Sequence, residues 1–329
     1  MTDWNLQAAD NAGEQINTFR AGLEKELRQI LGDGANVIYR NDLGMNGLVH
    51  LTVTIRMNGS RIAPTIDLGE FLDAYRRGIS IAVIAENIAG CLPPAEEDGG
   101  FDPDEWEDYS RVRTRLAVKL IHAEKNRMLL KEVPYAKILD LALLAVYIVD
   151  RSEHSHATIT IRNTHLERWG IGRDKLLRDA LRSSPLVMPA VVRSIDEALS
   201  SAAGSISGNM MQEAFCRPPA AEETEEGAAS LFVLSNVFGY LGASAAVYPG
   251  TLKSFADAAG RDLFVLPSSV HEVLLLPDSG ENEPEGLSEI VREINRTAVA
   301  PEEVLSDHVY YFSRERGLIL PGDRISPDK

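Results

Sequence analysis

Apolar positions along the first third of the chain change period once. Ile16, Phe19, Leu23, Leu27 and Ile30 recur at spacings of three and four, which predicts an amphipathic helix over about Asn11–Leu31. Glu24 and Arg28 are placed to pair on its outer surface, and Gly32 and Gly34 end it. From Val49 the pattern alternates: Val49, Leu51, Val53 and Ile55 face inward, while His50, Thr52, Thr54 and Arg56 face out, as in a half-buried strand. Asn58-Gly59 supplies a hairpin turn, and Arg61–Leu68 returns as a partner whose Pro64 marks an edge or a bulge. A helical stretch over about Glu70–Ile88 closes this unit.

Two further units follow the same grammar. Ser110 is placed to cap a helix with the stripe Val112, Leu116, Leu120, Ala123 and Leu130, ending before Pro134. Ile138–Val149 reads as a strand apolar on both faces, and Ala157–Arg162 alternates as its hairpin partner. Helices at Asp174–Arg182 and near Ile195–Leu199 complete the middle unit. The last unit begins with strands at Leu231–Leu234 and Ala243–Tyr248. A helix follows, capped by Thr251, lined by Leu252, Phe255, Ala256 and Ala259, and stopped by Gly260. Strands at Leu263–Leu266, Val270–Leu276 and Val304–Phe312 enclose a helix carrying Leu287, Ile290, Val291 and Ile294.

Hairpins outnumber strand–helix–strand crossovers, so the expected class is α+β: successive helix/β-hairpin/helix units with mainly antiparallel sheets, arranged as a degenerate internal repeat. The expected organisation is an α+β unit over 1–95, an acidic linker at 96–109, a middle α+β unit over 110–200, a flexible connection at 201–228 and a C-terminal α+β unit over 229–322.

Charge sharpens this picture. The chain has 33 basic and 49 acidic residues among 329, but 16 of the acids lie in three stretches. Eight fall within Glu96–Asp108, four within Glu222–Glu226 and four within Asp278–Glu285, leaving 33 acids against 33 bases elsewhere. The excess belongs to solvated loops, and without a dominant Lys/Arg cluster the pattern argues against nucleic acid as a partner. The most apolar run, Ile138–Val149, is shorter than the ~20 residues that span a bilayer, and the first residues lack a signal-peptide pattern, so the expected compartment is the cytoplasm. Cys91 and Cys216 have no CxxC partner, and a disulfide framework and a Cys-based zinc site are both unsupported.

The chain carries no phosphate loop, no GxGxxG, no GxSxG elbow and no HExxH; His271-Glu272 continues as Val273-Leu274-Leu275. No cofactor is therefore expected. The strongest candidate chemistry is C-terminal. Ser268, Ser269, His271 and Glu272 open one expected strand, and Ser306, Asp307 and His308 lie in another. If those strands are neighbours, Glu272 or Asp307 can orient an imidazole that activates a serine, or His271, His308 and a carboxylate can hold a metal. The favoured reading makes them strand-end residues satisfying one another and the backbone. His154-Ser155-His156 reads as an exposed turn and His50, His122 and His165 as solvent-facing, whereas Trp106, among acids, is expected to pack on the adjoining domain.

Three C-terminal runs, Ala246–Gly250, Leu266–Val273 and Ala300–Tyr311, together with Ala63–Ile66 and Asn163–Gly170, resemble an uncharacterised bacterial family, a domain of unknown function common in gut anaerobes. The resemblance covers nearly the whole chain. It implies an intracellular bacterial protein and assigns no role to any residue. Two functions follow as expectations: a non-enzymatic module that binds a protein or peptide partner, or a hydrolase of unrecognised type using Ser269, His271, Glu272, Asp307 and His308.

Overall fold

The first amphipathic stripe forms where its spacing places it. Helix α1 (Asp3–Leu31) buries Phe19, Leu23 and Leu27 completely, while Ile30, the last residue of the expected stripe, is 45% exposed. The computed structural model describes residues 3–60, 63–92, 102–152, 155–203, 231–267 and 269–322. They divide into two units, one comprising 1–44 and 48–103, the other 45–47 and 104–329.

In the first unit, β1 (Ala35–Leu43), β2 (Val49–Met57) and β3 (Thr65–Asp67) form an antiparallel sheet in that order. The alternation in β2 holds at its centre, where Val53 and Ile55 are fully buried, and fails at its start, where Val49 is 69% exposed. One expected helix is two: α2 (Gly69–Arg76) and α3 (Ile81–Gly90), separated by Gly78 at φ 96°. Ser80 caps α3 by accepting from Val83 N. A Cβ on Gly22 would lie 2.6 Å from the Ile81 side chain, so the glycine is what lets α1 and α3 close on each other.

The second unit departs from expectation at its start. Asp108, not Ser110, caps the short helix α5 (Tyr109–Val112), which follows α4 (Pro103–Glu107). The run after it is a strand, β4 (Leu116–His122), where the stripe predicted a helix. Its residues are covered on both faces, and a short apolar run buried all round satisfies a helical and an extended pattern equally. Next come β5 (Tyr135–Ile138), β6 (Leu141–Ser152) and β7 (Ser155–Thr160); β6 pairs with β4 on one side and with β5 and then β7 on the other. Helices α6 (Asn163–Trp169), α7 (Arg173–Val187) and α8 (Ile195–Ala203) follow, with β8 (Ala190–Ser194) between the last two.

The final segment adds β9 (Phe232–Asn236), α9 (Thr251–Ala259), β10 (Leu263–Leu266), β11 (Val273–Pro277), α10 (Pro284–Thr297), β12 (Tyr310–Ser313) and β13 (Leu318–Pro321). These strands and β8 form one antiparallel sheet in the order β13-β12-β10-β11-β9-β8. The expected strand at Ala243–Tyr248 is a 3₁₀ turn, Gly242–Val247, and α9 starts from Gly250 at φ 84° instead of a Thr251 cap. Small residues let that turn press close: a Cβ on Gly242 would meet Ser235 Oγ at 2.1 Å and the His271 carbonyl oxygen at 2.5 Å. The chain is thus α+β with antiparallel sheets. The expected linker at 201–228 falls almost wholly outside the described residues.

Trp106 is 8% exposed and packs edge-on against Tyr147 and Trp169, whose indole N–H donates to the Trp106 carbonyl at 2.8 Å. Trp106→Ala is expected to destabilise the second unit by about 3–5 kcal/mol in urea unfolding. A loss below about 1 kcal/mol would show that this aromatic contact does not hold α4 in place.

Candidate functional site

The two expected strands that carry the polar cluster are shorter than their sequence pattern. His271 and Glu272 lie in a bend before β11, and Ser306, Asp307 and His308 lie in a loop before β12. The strands themselves are not neighbours, because β10 lies between them. The approach is made by the loops: Val270 N donates to the Glu303 carbonyl at 2.9 Å. Ser268 lies outside the described residues.

His271 is held on both ring nitrogens. Leu241 N–H donates to Nδ1 at 3.2 Å, so the neutral ring carries its proton on Nε2, which faces Glu303 Oε1 at 3.3 Å. Tyr240 stacks beside the ring, and Ser235 donates to the His271 carbonyl at 2.8 Å. Ser269 sits apart from this imidazole in function: its Oγ accepts from His271 N at 3.0 Å, a local turn. The carboxylate that meets His271 is Glu303, not Glu272 or Asp307.

The loop before β12 is pinned from several directions. Ser306, fully buried, donates to Asp140 Oδ2 at 2.6 Å, and Tyr310 donates to Asp140 Oδ1 at 2.6 Å. Burial and the Asp140 charge raise the Tyr310 phenol well above its ordinary value, keeping it a donor. From α10, Asn295 Nδ2 donates to the Ser306 carbonyl and to Asp307 Oδ1, both at 2.8 Å. Asn46, in the left-handed region at φ 56°, directs its amide to the carbonyls of Pro301 and Val304 at 2.8 and 2.9 Å. It also exchanges two 2.8 Å hydrogen bonds with Asn126. His308 is exposed, and its backbone N–H donates to Ser306 Oγ at 3.0 Å.

Of the five candidates, then, Ser269 and His271 belong to one loop, Asp307 and His308 to the other, and Glu272 is half-buried in the first, where among the described residues it pairs with no imidazole. Among the described residues no group of three or more His, Cys, Asp or Glu is spaced to hold a metal ion. Glu153 and His154 lie outside the described residues.

All of these side chains fall within residues 16–314, which match the model of a family of unknown function, DUF5688. The chain belongs to this family. Neither a curated protein nor a solved structure matches it. The runs that carry the earlier resemblance lie within the DUF5688 match, and so do the residues that pin the loop but were not singled out: Asn46, Asn126, Asp140, Tyr240, Asn295 and Glu303.

Three histidines expected to face solvent are partly covered. In the first unit His50 is only 17% exposed, with Nδ1 hydrogen-bonded to Asp67. His122 accepts from Lys125 N through Nδ1, and burial followed by the Lys125 charge lowers its pKa below the ordinary 6.5. His165 accepts from Arg162 N at 3.1 Å and lies against Trp106 and Trp169; burial, then Arg162 and Arg168, lowers it too. Between the lowered native value and 6.5 the unfolded chain binds more protons, so the stability these neutral rings provide is present above 6.5 and lost as pH falls. Urea midpoints are expected to drop between pH 7.5 and pH 5.5, and the drop to shrink in the His122→Gln, His165→Gln double variant. A parent midpoint that is flat or rises on acidification would contradict this.

Proposed function

We propose that the chain is a non-enzymatic binding module that recognises a protein or peptide partner, with the C-terminal polar cluster serving as scaffold. The observation that carries this reading is where the hydroxyls go. Ser269 Oγ serves a backbone N–H and Ser306 Oγ serves Asp140, so neither is aligned with an imidazole. A nucleophile needs that alignment with a base. His271 has no free ring nitrogen with which to take a proton.

A surface suited to an extended partner lies in the first unit. β1 is an edge strand of nine residues with no pairing on its outer side among the described residues. Asn36, Ile38 and Arg40 are exposed along it, and it contains neither proline nor lysine, the usual guards of an open edge. Such an edge takes an added strand through backbone hydrogen bonds, with alternate side chains giving selectivity.

Partner capture from native lysate tests the reading with three variants beside the parent. His271→Ala and His308→Ala are expected to retain the captured partner, His271→Ala at a lowered Tm. Ile38→Lys, at a 40% exposed position, is expected to lose it at an unchanged Tm. Loss of the partner in a histidine variant at unchanged Tm, or an ester-hydrolysing activity that His271→Ala abolishes, would contradict the proposal.

A further inference from the structure

Among the ionisable side chains of the second unit that lie outside the pinned loop, Lys119 is placed on an apolar face. Lys119 sits mid-way along β4, flanked on its own face by Ala117 and Ile121 and directly opposite Leu144 of β6. Those three neighbours belong to the buried cluster that also contains Val146, Met188 and Leu241. An amine on an apolar sheet face is costly as a cation unless a carboxylate answers it. Among the described residues no carboxylate answers it, and Nζ meets the thioether of Met45 at 3.6 Å. Burial pushes the amine down to about 8, with no neighbouring charge contributing to that shift. Even so, Lys119 keeps partial access to solvent.

Strained backbone occurs next to Met45 and again within the apolar cluster that surrounds β4. Asn46, next to Met45, and Leu241, in the same apolar cluster, both lie in the left-handed region at φ 56° and 55°. Neither is glycine, and both are held there by hydrogen bonds: Asn46 to Asn126, Leu241 to the His271 ring. Outliers of this kind persist where the surroundings over-determine them, and they gather at ligand sites.

We propose that Lys119 is an imine-forming site for a small aldehyde or ketone. The uncharged amine adds its lone pair to the carbonyl carbon, and the C=O π bond opens to a carbinolamine. Water then leaves, carrying the carbonyl oxygen and both amine protons, and a C=N bond joins ligand to lysine. No oxidant or reductant is consumed. A desolvated lysine in apolar surroundings is the form of amine that supports this step near neutral pH. The apolar neighbours keep water scarce around the imine, which opposes its hydrolysis.

The test uses the full chain, glycolaldehyde and cyanoborohydride at pH 7.5, with peptide mass spectrometry reading the hydroxyethyl label at each lysine. Lys119 is expected to lead the mean of the other lysines by about tenfold or more, because an ordinary lysine titrates near 10.4 and is almost wholly charged at that pH. Its labelling is expected to saturate with aldehyde concentration while the others rise linearly, and its lead to shrink at pH 10. Lys119→Met, apolar and of similar reach, is expected to stay folded, lose that label and leave the remaining lysines unchanged. Uniform labelling, a leading lysine elsewhere, a linear response at Lys119, or an unlabelled Lys119 would each overturn the proposal.

Discussion

The Asp140 carboxylate is the constraint on which the second unit's polar architecture depends. Both of its oxygens accept hydroxyl hydrogen bonds of 2.6 Å, one from Ser306 and one from Tyr310. Charge-assisted bonds of this length are about twice as strong as neutral ones. They join the tight β5–β6 connection, where Leu139 is forced to φ 55°, to a loop more than 160 positions later. With Ser306 fixed, Asn295 from α10 and Asn46 take up the loop's remaining groups, and Glu303 is brought against His271.

This arrangement bears on chemistry through what it consumes. A serine hydroxyl already donating to a buried-side carboxylate, and an imidazole held at both nitrogens, have given their hydrogen-bonding capacity to position. The opposite condition holds at Lys119, whose amine has no ion-pair partner among the described residues and sits among aliphatic side chains. The unit therefore contains polar groups of two kinds: those that stabilise because they are satisfied, and those, Lys119 among them, whose burial is not answered by a charge. Within the same fold, the second kind is the better place to look for a ligand.

Much of the fold was legible in local periodicity. The stripe Phe19, Leu23 and Leu27, the hairpin at Asn58-Gly59, the β6–β7 pair and α9 ending at Gly260 all form near their expected places, because each is fixed by neighbours within a few residues. Residues 116–122 misled, since LAVKLIH is covered on both faces and its spacing fits either period; the lysine inside that apolar run was the local signal that the segment is unusual. The apolar residues that follow His271 and Glu272 give those two a strand pattern, but the ladder begins only at Val273. The residues that organise the candidate site were not legible. Asn46, Asp140 and Glu303 act on partners between 32 and 258 positions away, and nothing in their own surroundings marks them.

Native-state amide hydrogen exchange at His308 and Val270 probes the pinned loop most directly, because His308 N–H bonds to Ser306 Oγ and Val270 N–H to the Glu303 carbonyl. Both amides are expected to exchange only through the cooperative opening of the second unit in the parent, and to lose much of that protection together in Asp140→Asn. Fast, independent exchange of either amide in the parent, or protection that Asp140→Asn leaves untouched, would contradict the view that this carboxylate holds the cluster as scaffold.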